Sequence, residues 1–232
     1  MTVKAAHGQP AERTDYGSVT DYAYAALRRE IIEGRFPPGR RMREIELASW
    51  LGVSRTPTRQ ALSRLEHEGL VDLRPRIGLV VATLDAAAME ELYEMRGALE
   101  GIASGLAARH SSTRDVATLV QLVEIEPTLP EDASVRYQHN LAFHQAIYQA
   151  AHNRFLMKSL QALNDAIALL GPTTMGVEGR FADAHAEHRR IVAAIEARDS
   201  EKADAEGRAH VARGLELRRR MRATEPTNQD PL

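Results

Sequence analysis

The chain has 232 residues, of which 44% are hydrophobic and 27% are charged, so it can bury a core and is not predominantly disordered. It contains no cysteine, which excludes disulfides, thiolate metal ligands and a cysteine nucleophile. The net charge of −2 conceals an asymmetry. Up to Thr83, 13 Lys or Arg residues stand against 10 Asp or Glu residues, and in the remainder 17 stand against 22. The mildly basic first part suits nucleic acid, although this excess alone is a weak indication.

The composition predicts a mainly α fold, because aromatic residues make up only 5% while Ala, Leu, Glu and Arg dominate. The apolar runs are too short to span a bilayer, and the first residues lack the apolar stretch of a signal peptide. We therefore expect a cytoplasmic protein with no membrane partner. The length favours two domains, at 18–83 and 84–222, between disordered tails at 1–17 and 223–232.

The first domain begins with apolar residues at helical spacing, which predict a helix with Thr20 or Asp21 as its N-cap and Gly34 as its stop. Pro37, Pro38 and Gly39 then predict a turn.

Two short helices follow, "REIELASWL" and "RTPTRQALSRLEHEG", separated by "GVS". Gly52 fits the left-handed position that ends the first helix. Ser54 fits the N-cap of the second helix, and Pro57 falls in its first turn. The segment "LVDLRPRIGLVVATL" has the pattern of a small β-hairpin with an Arg/Pro/Gly tip.

The second short helix carries a polar face at its start, opposite an apolar face that would be buried. This polar face consists of Arg55, Thr56, Arg59 and Gln60. The start of a helix attracts phosphate, and an arginine can donate two hydrogen bonds to guanine, worth about 1–3 kcal/mol of discrimination. The pattern predicts a DNA-recognition helix, with Arg74 and Arg76 on a wing that contacts the DNA backbone or minor groove. The alternative is a solvated arginine face on an ordinary helical hairpin.

The stretch from Asp21 to Val81 closely resembles the winged helix-turn-helix of GntR-family transcription regulators. The resemblance rests on "FPPGRRMREIELASWLGVSRTPTRQALSRLEHEGLVDLRPRIGLVV". Gln60 replaces the usual Glu and Thr58 the usual Val, which would alter base preference or helix packing but not the fold. The resemblance and the polar face together imply the following DNA contacts: Arg43, Arg55, Thr56, Arg59, Gln60, Arg76 and Gly78.

From Asp85 the pattern is helical nearly to Ala223. We expect six helices, near 85–109, 113–124, 135–151, 153–170, 178–198 and 200–221. Six helices over this length predict an all-α, six-helix antiparallel bundle.

Three histidines in this bundle form a candidate metal site. Asn140 and His144 lie one helical turn apart, and His188 and His210 lie on two successive helices at a spacing that can bring them level. Three neutral imidazoles can bind zinc, nickel or manganese and leave positions open for a ligand. Taken singly, each is more often a surface or hydrogen-bonded core residue. We expect His139, His152 and His185 to lie on the surface.

The second domain resembles the FadR-type effector domain of the same family, through "ELYEMRGALEGIASGLAA", "NLAFHQAIYQAAHNRFL" and "HRRIVAAIEARDSEKADAEGRAHV". The resemblance implies a divalent metal, zinc before nickel or manganese, held at Asn140, His144, His188 and His210. Asn140 stands where the family usually has Asp, so the metal should be held more weakly, or through water, or be missing. Arg96 is a candidate effector contact, and a helix salt bridge with Glu100 is the equally good alternative.

These features predict a homodimeric transcription regulator, a repressor in the commoner family outcome, that binds a palindromic double-stranded DNA operator. A small organic acid bound in the metal-containing bundle would control its DNA affinity. One alternative makes the metal itself the signal. The other, a three-histidine metal hydrolase, lacks an "HExxH" motif and leaves the arginine-bearing helix unexplained.

Overall fold

The computed structural model describes residues 16–224, and it is mainly α-helical with one β-hairpin, as predicted. The elements of the first half are α1 (Val19–Ile32), α2 (Glu44–Leu51), α3 (Arg55–His67), β1 (Val71–Arg74) and β2 (Gly78–Val81). The later helices are α4 (Ala86–His110), α5 (Thr113–Ile125), α6 (Ala133–Ala150), α7 (Arg154–Ile167), α8 (Arg180–Glu196) and α9 (Ser200–Thr224).

The described chain forms two compact units. The first contains the residues up to Ala86 together with Asn164–Pro172, and the second contains Ala87–Leu163 and the residues from Thr173 onward. The predicted tails lie outside the described residues except at 16, 17, 223 and 224. Of these, Tyr16 contacts the ring of Tyr22 edge-on, and α9 continues to Thr224.

The core of the first unit forms where the apolar side of α1 packs against α3. Its most deeply buried large side chains are Leu27, Ile31, Phe36, Leu62 and Leu65. The prediction of Thr20 or Asp21 as the N-cap of α1 was wrong. Ser18 takes this position, because its hydroxyl oxygen accepts the backbone N–H of Asp21 at 3.0 Å.

The turn between α2 and α3 has the predicted form. Gly52 adopts φ 65° and ψ 32°, the left-handed conformation that ends α2. Ser54 occupies the N-cap of α3, although its side chain makes no capping hydrogen bond within residues 16–224. Thr58, where the family usually has Val, is fully buried and donates from its hydroxyl to the carbonyl oxygen of Ser54 at 3.1 Å.

The wing is an antiparallel hairpin in which Val71 pairs with Val81 and Arg74 pairs with Gly78. Arg41, which precedes α2, pairs with Val80 through an isolated bridge. Arg76 lies at the tip with φ 65°, a left-handed conformation for a residue other than glycine. The hairpin therefore presents this side chain from a fixed, strained turn.

The second unit holds α4 and α8 antiparallel to α9. Along α4 and α9 the paired positions run in opposite order, from Glu90 with Arg219 to Gly105 beside Ser200. The two helices approach closely at Gly207, where an added Cβ would lie 2.7 Å from Ser104 Oγ. The core between the helices contains Phe143, Ile147, Leu160, Ile191 and Ile195, all nearly or fully buried.

Across residues 16–224, no helix combines the length and the apolar character that crossing a bilayer requires.

Candidate functional site

The start of α3 presents the polar face that the sequence predicts. The side chains of Arg55, Thr56, Arg59 and Gln60 are all exposed, whereas the opposite side of the helix is buried in the first core. Arg43, at the N-cap of α2, is also exposed and pairs with Glu46 at 2.8 Å.

A carboxylate that the sequence reasoning missed holds two of these arginines. Arg55 Nε donates to Glu44 Oε1 at 2.7 Å, and Arg59 Nε donates to Glu44 Oε2 at 2.8 Å. Hydrogen bonds from Arg59 and Arg55 lower the pKa of Glu44 to about 2. Glu44 lies on the preceding helix, 11 and 15 residues away, so no local periodicity connects it with them.

Gln60 makes a contact of a different kind. Its side-chain oxygen accepts the hydroxyl of Thr20 at 2.8 Å, which connects the polar face to the first turn of α1. On the wing, Arg76 is exposed at the tip and Gly78 begins β2 with φ 91°. Arg74 donates to the hydroxyl of Thr83.

The second unit brings the three predicted histidines together in its interior. His144 of α6, His188 of α8 and His210 of α9 are at most 5% exposed, and each offers one ring nitrogen within 4.8 Å of the others. His144 Nε2 and His210 Nε2 are 3.2 Å apart. Two nitrogens that bind one zinc ion tetrahedrally, each at about 2.0–2.1 Å, lie about 3.4 Å apart. The histidine spacing is therefore close to that of a metal centre.

Each histidine ring is oriented by its own buried glutamate. The carboxylate of Glu100 lies 3.1 Å from His144 Nδ1. Glu126 lies 2.6 Å from His188 Nδ1, and Glu187 lies 2.7 Å from His210 Nδ1. In protein metal sites a carboxylate on one ring nitrogen fixes the tautomer and directs the other nitrogen to the metal. All three Nδ1 atoms are engaged in this way, so the three Nε2 atoms are the candidate ligands.

The protonation states suit metal ligands. Burial lowers the pKa of His188 to about 4 and holds the pKa of His210 well below its ordinary value, so these rings are neutral near pH 7. Burial acts to raise the pKa of Glu100, but His144 and Arg96 outweigh it and lower this pKa to about 2. Glu100 is therefore ionised and can accept a hydrogen bond from the His144 ring.

Two buried polar atoms support this assignment. Asn140 Oδ1 and His188 Nε2 have no hydrogen-bond partner among residues 16–224. Buried polar atoms in native proteins are nearly always bonded, and an exception marks a water, an ion or a functional group. A nitrogen and oxygen donor set of this kind fits zinc or nickel. The three histidines therefore fit a divalent metal, and Asn140, one helical turn before His144, has a buried oxygen available as a fourth ligand.

Two arginines lie beside this cluster. Arg96 Nη2 is 3.2 Å from Glu100 Oε1, so the salt bridge considered as the alternative is present, yet Arg96 Nε has no hydrogen-bond partner in the described part of the chain. Arg180, which the sequence reasoning missed, is 6% exposed and donates to Glu187 Oε2 at 2.9 Å. Both guanidiniums contribute to the lowered pKa of His210.

The surface assignment was wrong for two of the other three histidines. His139 and His185 are only partly exposed, because both pack around the buried Glu126. His185 Nδ1 is 2.9 Å from this carboxylate, and His139 Nε2 is 2.9 Å from the carbonyl oxygen of Leu122. His152 is exposed, as predicted, and pairs with Asp115.

Two known sequence families match different parts of the chain. Residues 20–81 match the bacterial regulatory proteins of the gntR family, and residues 91–213 match the FCD domain. The chain belongs to the GntR family of transcription regulators. It carries the FCD type of C-terminal domain, as the resemblance to the FadR-type effector domain implied.

Relatives of this GntR regulator are also transcription regulators. It is 32% identical over 191 residues to the uncharacterized HTH-type transcriptional regulator YdhC of Bacillus subtilis, covering 81% of this chain and 85% of that protein. It is 34% identical to a probable D-xylose utilization operon transcriptional repressor of Paenarthrobacter nicotinovorans, over 79% of this chain and 81% of that one. The structure of E. coli McbR/YncC shares the fold, with a TM-score of 0.76 at 21% identity, covering 89% of this chain and 100% of that one. The GntR regulator is therefore a DNA-binding protein and not an enzyme, which removes the hydrolase alternative.

Proposed function

We propose that this regulator is a cytoplasmic, homodimeric repressor that releases a palindromic operator when a small organic acid binds in its metal-containing bundle. The observation that carries the effector part of the proposal is the convergence of three oriented, buried imidazoles beside two arginines. The name of the Paenarthrobacter relative, a probable transcriptional repressor, supports the direction of the response.

The DNA contacts in this proposal come from the polar start of α3, the N-cap of α2 and the wing. The full set is Arg43, Arg55, Thr56, Arg59, Gln60, Arg76 and Gly78. Guanidinium groups at the start of a helix suit both phosphate and the major-groove edge of guanine. In a two-fold dimer, two such helices would read half-sites separated by about one turn of the duplex.

His144, His188, His210 and Asn140 would hold the metal. When bound, a divalent ion supplies a Lewis acid that attracts a carboxylate oxygen to its open positions. Arg96 and Arg180 would each be able to donate from Nε to the same ligand. The surrounding glutamates keep the imidazoles oriented whether or not the ligand is present.

A thermal-shift screen of small carboxylic acids, with and without zinc, tests the effector part. A ligand present at about 100 times its dissociation constant stabilises the folded state by about 2.7 kcal/mol, which such a screen detects. We expect stabilisation by acids only in the presence of metal, and release of operator DNA in a gel-shift assay by the same acids. DNA release by zinc or by chelator alone, with no acid, would instead favour the metal as the signal.

The DNA contacts are tested by Arg55→Ala and Arg59→Ala. Losing a bidentate arginine contact should lower the preference for operator over unrelated DNA by about 1–3 kcal/mol, which is about 5- to 150-fold. A gel-shift competition measures this preference, and circular dichroism verifies the fold. If both variants keep the preference of the original chain, the assignment of α3 as the recognition helix is wrong.

A further inference from the structure

The donor set of the histidine centre carries no negative charge. Imidazoles bind a metal ion in their neutral form, and Asn140 would contribute an amide oxygen rather than a carboxylate. Asn140 is 7% exposed, and its Oδ1 is unbonded within residues 16–224. These neutral ligands would therefore leave the charge of a bound divalent ion unneutralised.

The surrounding charges do not remove this excess. The buried carboxylates in contact with the histidines are those of Glu100, Glu126 and Glu187. Arg96 pairs with the first of them, and Arg180 and the more exposed Arg213 pair with the third. A divalent ion and three guanidiniums exceed three carboxylates by two positive charges. Because an unbalanced charge in a protein interior is costly, the occupied site favours an additional anion.

We propose that the bound acid supplies the anionic ligand that Asn140 fails to provide, so that metal and acid each increase the affinity of the site for the other. This inference rests on the metal and carboxylate centre proposed above. The effect is reciprocal because of thermodynamic linkage. If the acid raises the affinity for metal by some factor, the metal raises the affinity for the acid by the same factor. The regulator then responds to the acid only when metal is available, and it holds metal firmly only when the acid is present.

The test measures zinc affinity in two salts. Full-length protein, stripped of metal by a chelator, is titrated with zinc against a chromophoric competitor, in sodium acetate or in sodium perchlorate of equal ionic strength. Acetate is the carboxylate probe, perchlorate is the weakly coordinating reference, and the competitor is calibrated in each salt. We expect acetate to tighten zinc binding by about fivefold or more, within the usual range of coupling between two ligands.

Two variants locate the effect at position 140. Asn140→Asp supplies the negative charge itself, so it should bind zinc more tightly in perchlorate and gain less than about twofold from acetate. Asn140→Ala removes the amide without adding charge, so it should bind zinc weakly but keep the gain from acetate. Asn153→Asp is the matched control, because it makes the same charge change at the start of α7, where the side chain of Asn153 accepts two backbone N–H groups.

The outcomes separate this inference from the proposed function. Equal gains from acetate in the original chain and in Asn140→Asp would overturn the inference, and so would no gain in the original chain. In both cases the metal centre would stand. If neither the original chain nor the variants bind zinc, the metal centre fails and the inference fails with it. Circular dichroism on each variant excludes loss of fold as the cause.

Discussion

Glu44 is the side chain that pairs with both arginines at the start of α3, the helix proposed to read DNA. It accepts hydrogen bonds from both Arg55 and Arg59, and it is only partly exposed whereas they are largely exposed. The substitution Glu44→Gln would leave both guanidiniums more mobile and would remove a negative charge from the surface proposed to approach phosphate. We expect affinity for unrelated DNA to rise and the preference for operator to fall, each by about threefold to tenfold.

Fluorescence anisotropy with operator and scrambled duplexes, over a range of salt concentrations, measures both effects. Glu66→Gln is the control, since it makes the same charge change near the other end of α3. A uniform gain on both duplexes, with the preference unchanged, would mean that Glu44 acts only through its charge.

The residues of both sites show what a sequence pattern can and cannot predict. The start of α3 and the three histidines were identified because spacing along a helix and a family motif determine them. Glu44 and Glu126 were missed because they reach the sites from other elements, at distances along the chain that no helical period connects with the site residues. Arg180 lies on α8 itself, seven residues before its partner Glu187, and was missed although this spacing follows the helical period. The N-cap of α1 was misplaced because Ser18, Thr20 and Asp21 are all common N-cap residues, and only the observed hydrogen bond distinguishes them.

The pairing of α4 with α9 brings Glu100 and His210, which belong to two different glutamate and histidine pairs, to the same centre, and Gly207 makes this close pairing possible. A Cβ at Gly207 would lie 2.7 Å from Ser104 Oγ and 3.1 Å from the carbonyl oxygen of Glu100. Alanine favours a helix over glycine by about 1 kcal/mol, but the backbone oxygen cannot move aside. Gly207→Ala should therefore lower the free energy of unfolding by about 1–3 kcal/mol and weaken zinc binding.

Urea denaturation and zinc titration measure the two effects. Gly214→Ala is the matched control on the same helix, because its Cβ would meet only Tyr93, at an ordinary 3.5 Å. We expect this control to be neutral or slightly stabilising. If both variants behave alike, close packing at Gly207 does not hold the site together.

The helices themselves were largely predictable. The six helices expected in the second half are present, and each of their ends lies within three residues of the predicted position. The ends were predictable because glycines, prolines and N-cap residues mark them in the sequence. An amphipathic pattern shows which side of a helix is buried, but it does not identify the neighbour that covers it. No amphipathic pattern in the sequence indicates that Asn164–Pro172 packs with the first unit.

The stability of the metal-free protein should depend on pH through His188. Its pKa falls from an ordinary 6.5 to about 4 on folding, because it is buried. As the pH drops below about 6.5, the unfolded chain takes up the proton first, so stability is lost between about pH 6.5 and pH 4, on the order of 3 kcal/mol for this one group. Chemical denaturation at successive pH values measures the loss.

His188→Gln should flatten this dependence, since the amide does not titrate. His152→Gln is the control, because His152 is exposed and its replacement should leave the slope as it is. Identical slopes in the original chain and His188→Gln would show that the ring is not held neutral in the folded state.

Leu169 belongs to the core of the first unit although Ala87–Leu163, which lie in the second unit, separate its segment from the first 86 residues. It is 4% exposed, and Arg28 forms an ion pair with Asp165 in the same segment, Asn164–Pro172, which we call the returning segment. Leu169→Ala should destabilise the DNA-binding unit by about 2–5 kcal/mol through the cavity it leaves. Measuring operator binding at increasing urea concentration would reveal this loss. Leu163→Ala is the comparison, because Leu163 lies just outside the returning segment.

The returning segment has a consequence for protein engineering. A chimera made by joining the first 86 residues to a foreign sensor would leave out Asn164–Pro172, so the transplanted head would lack Leu169 and the partner of Arg28. A chimera that also contained the nine residues Asn164–Pro172, packed against the first 86, would restore Leu169 and the Arg28 ion pair. The two units of this regulator are therefore interleaved along the polypeptide, and neither can be exchanged by joining two chains at a single position.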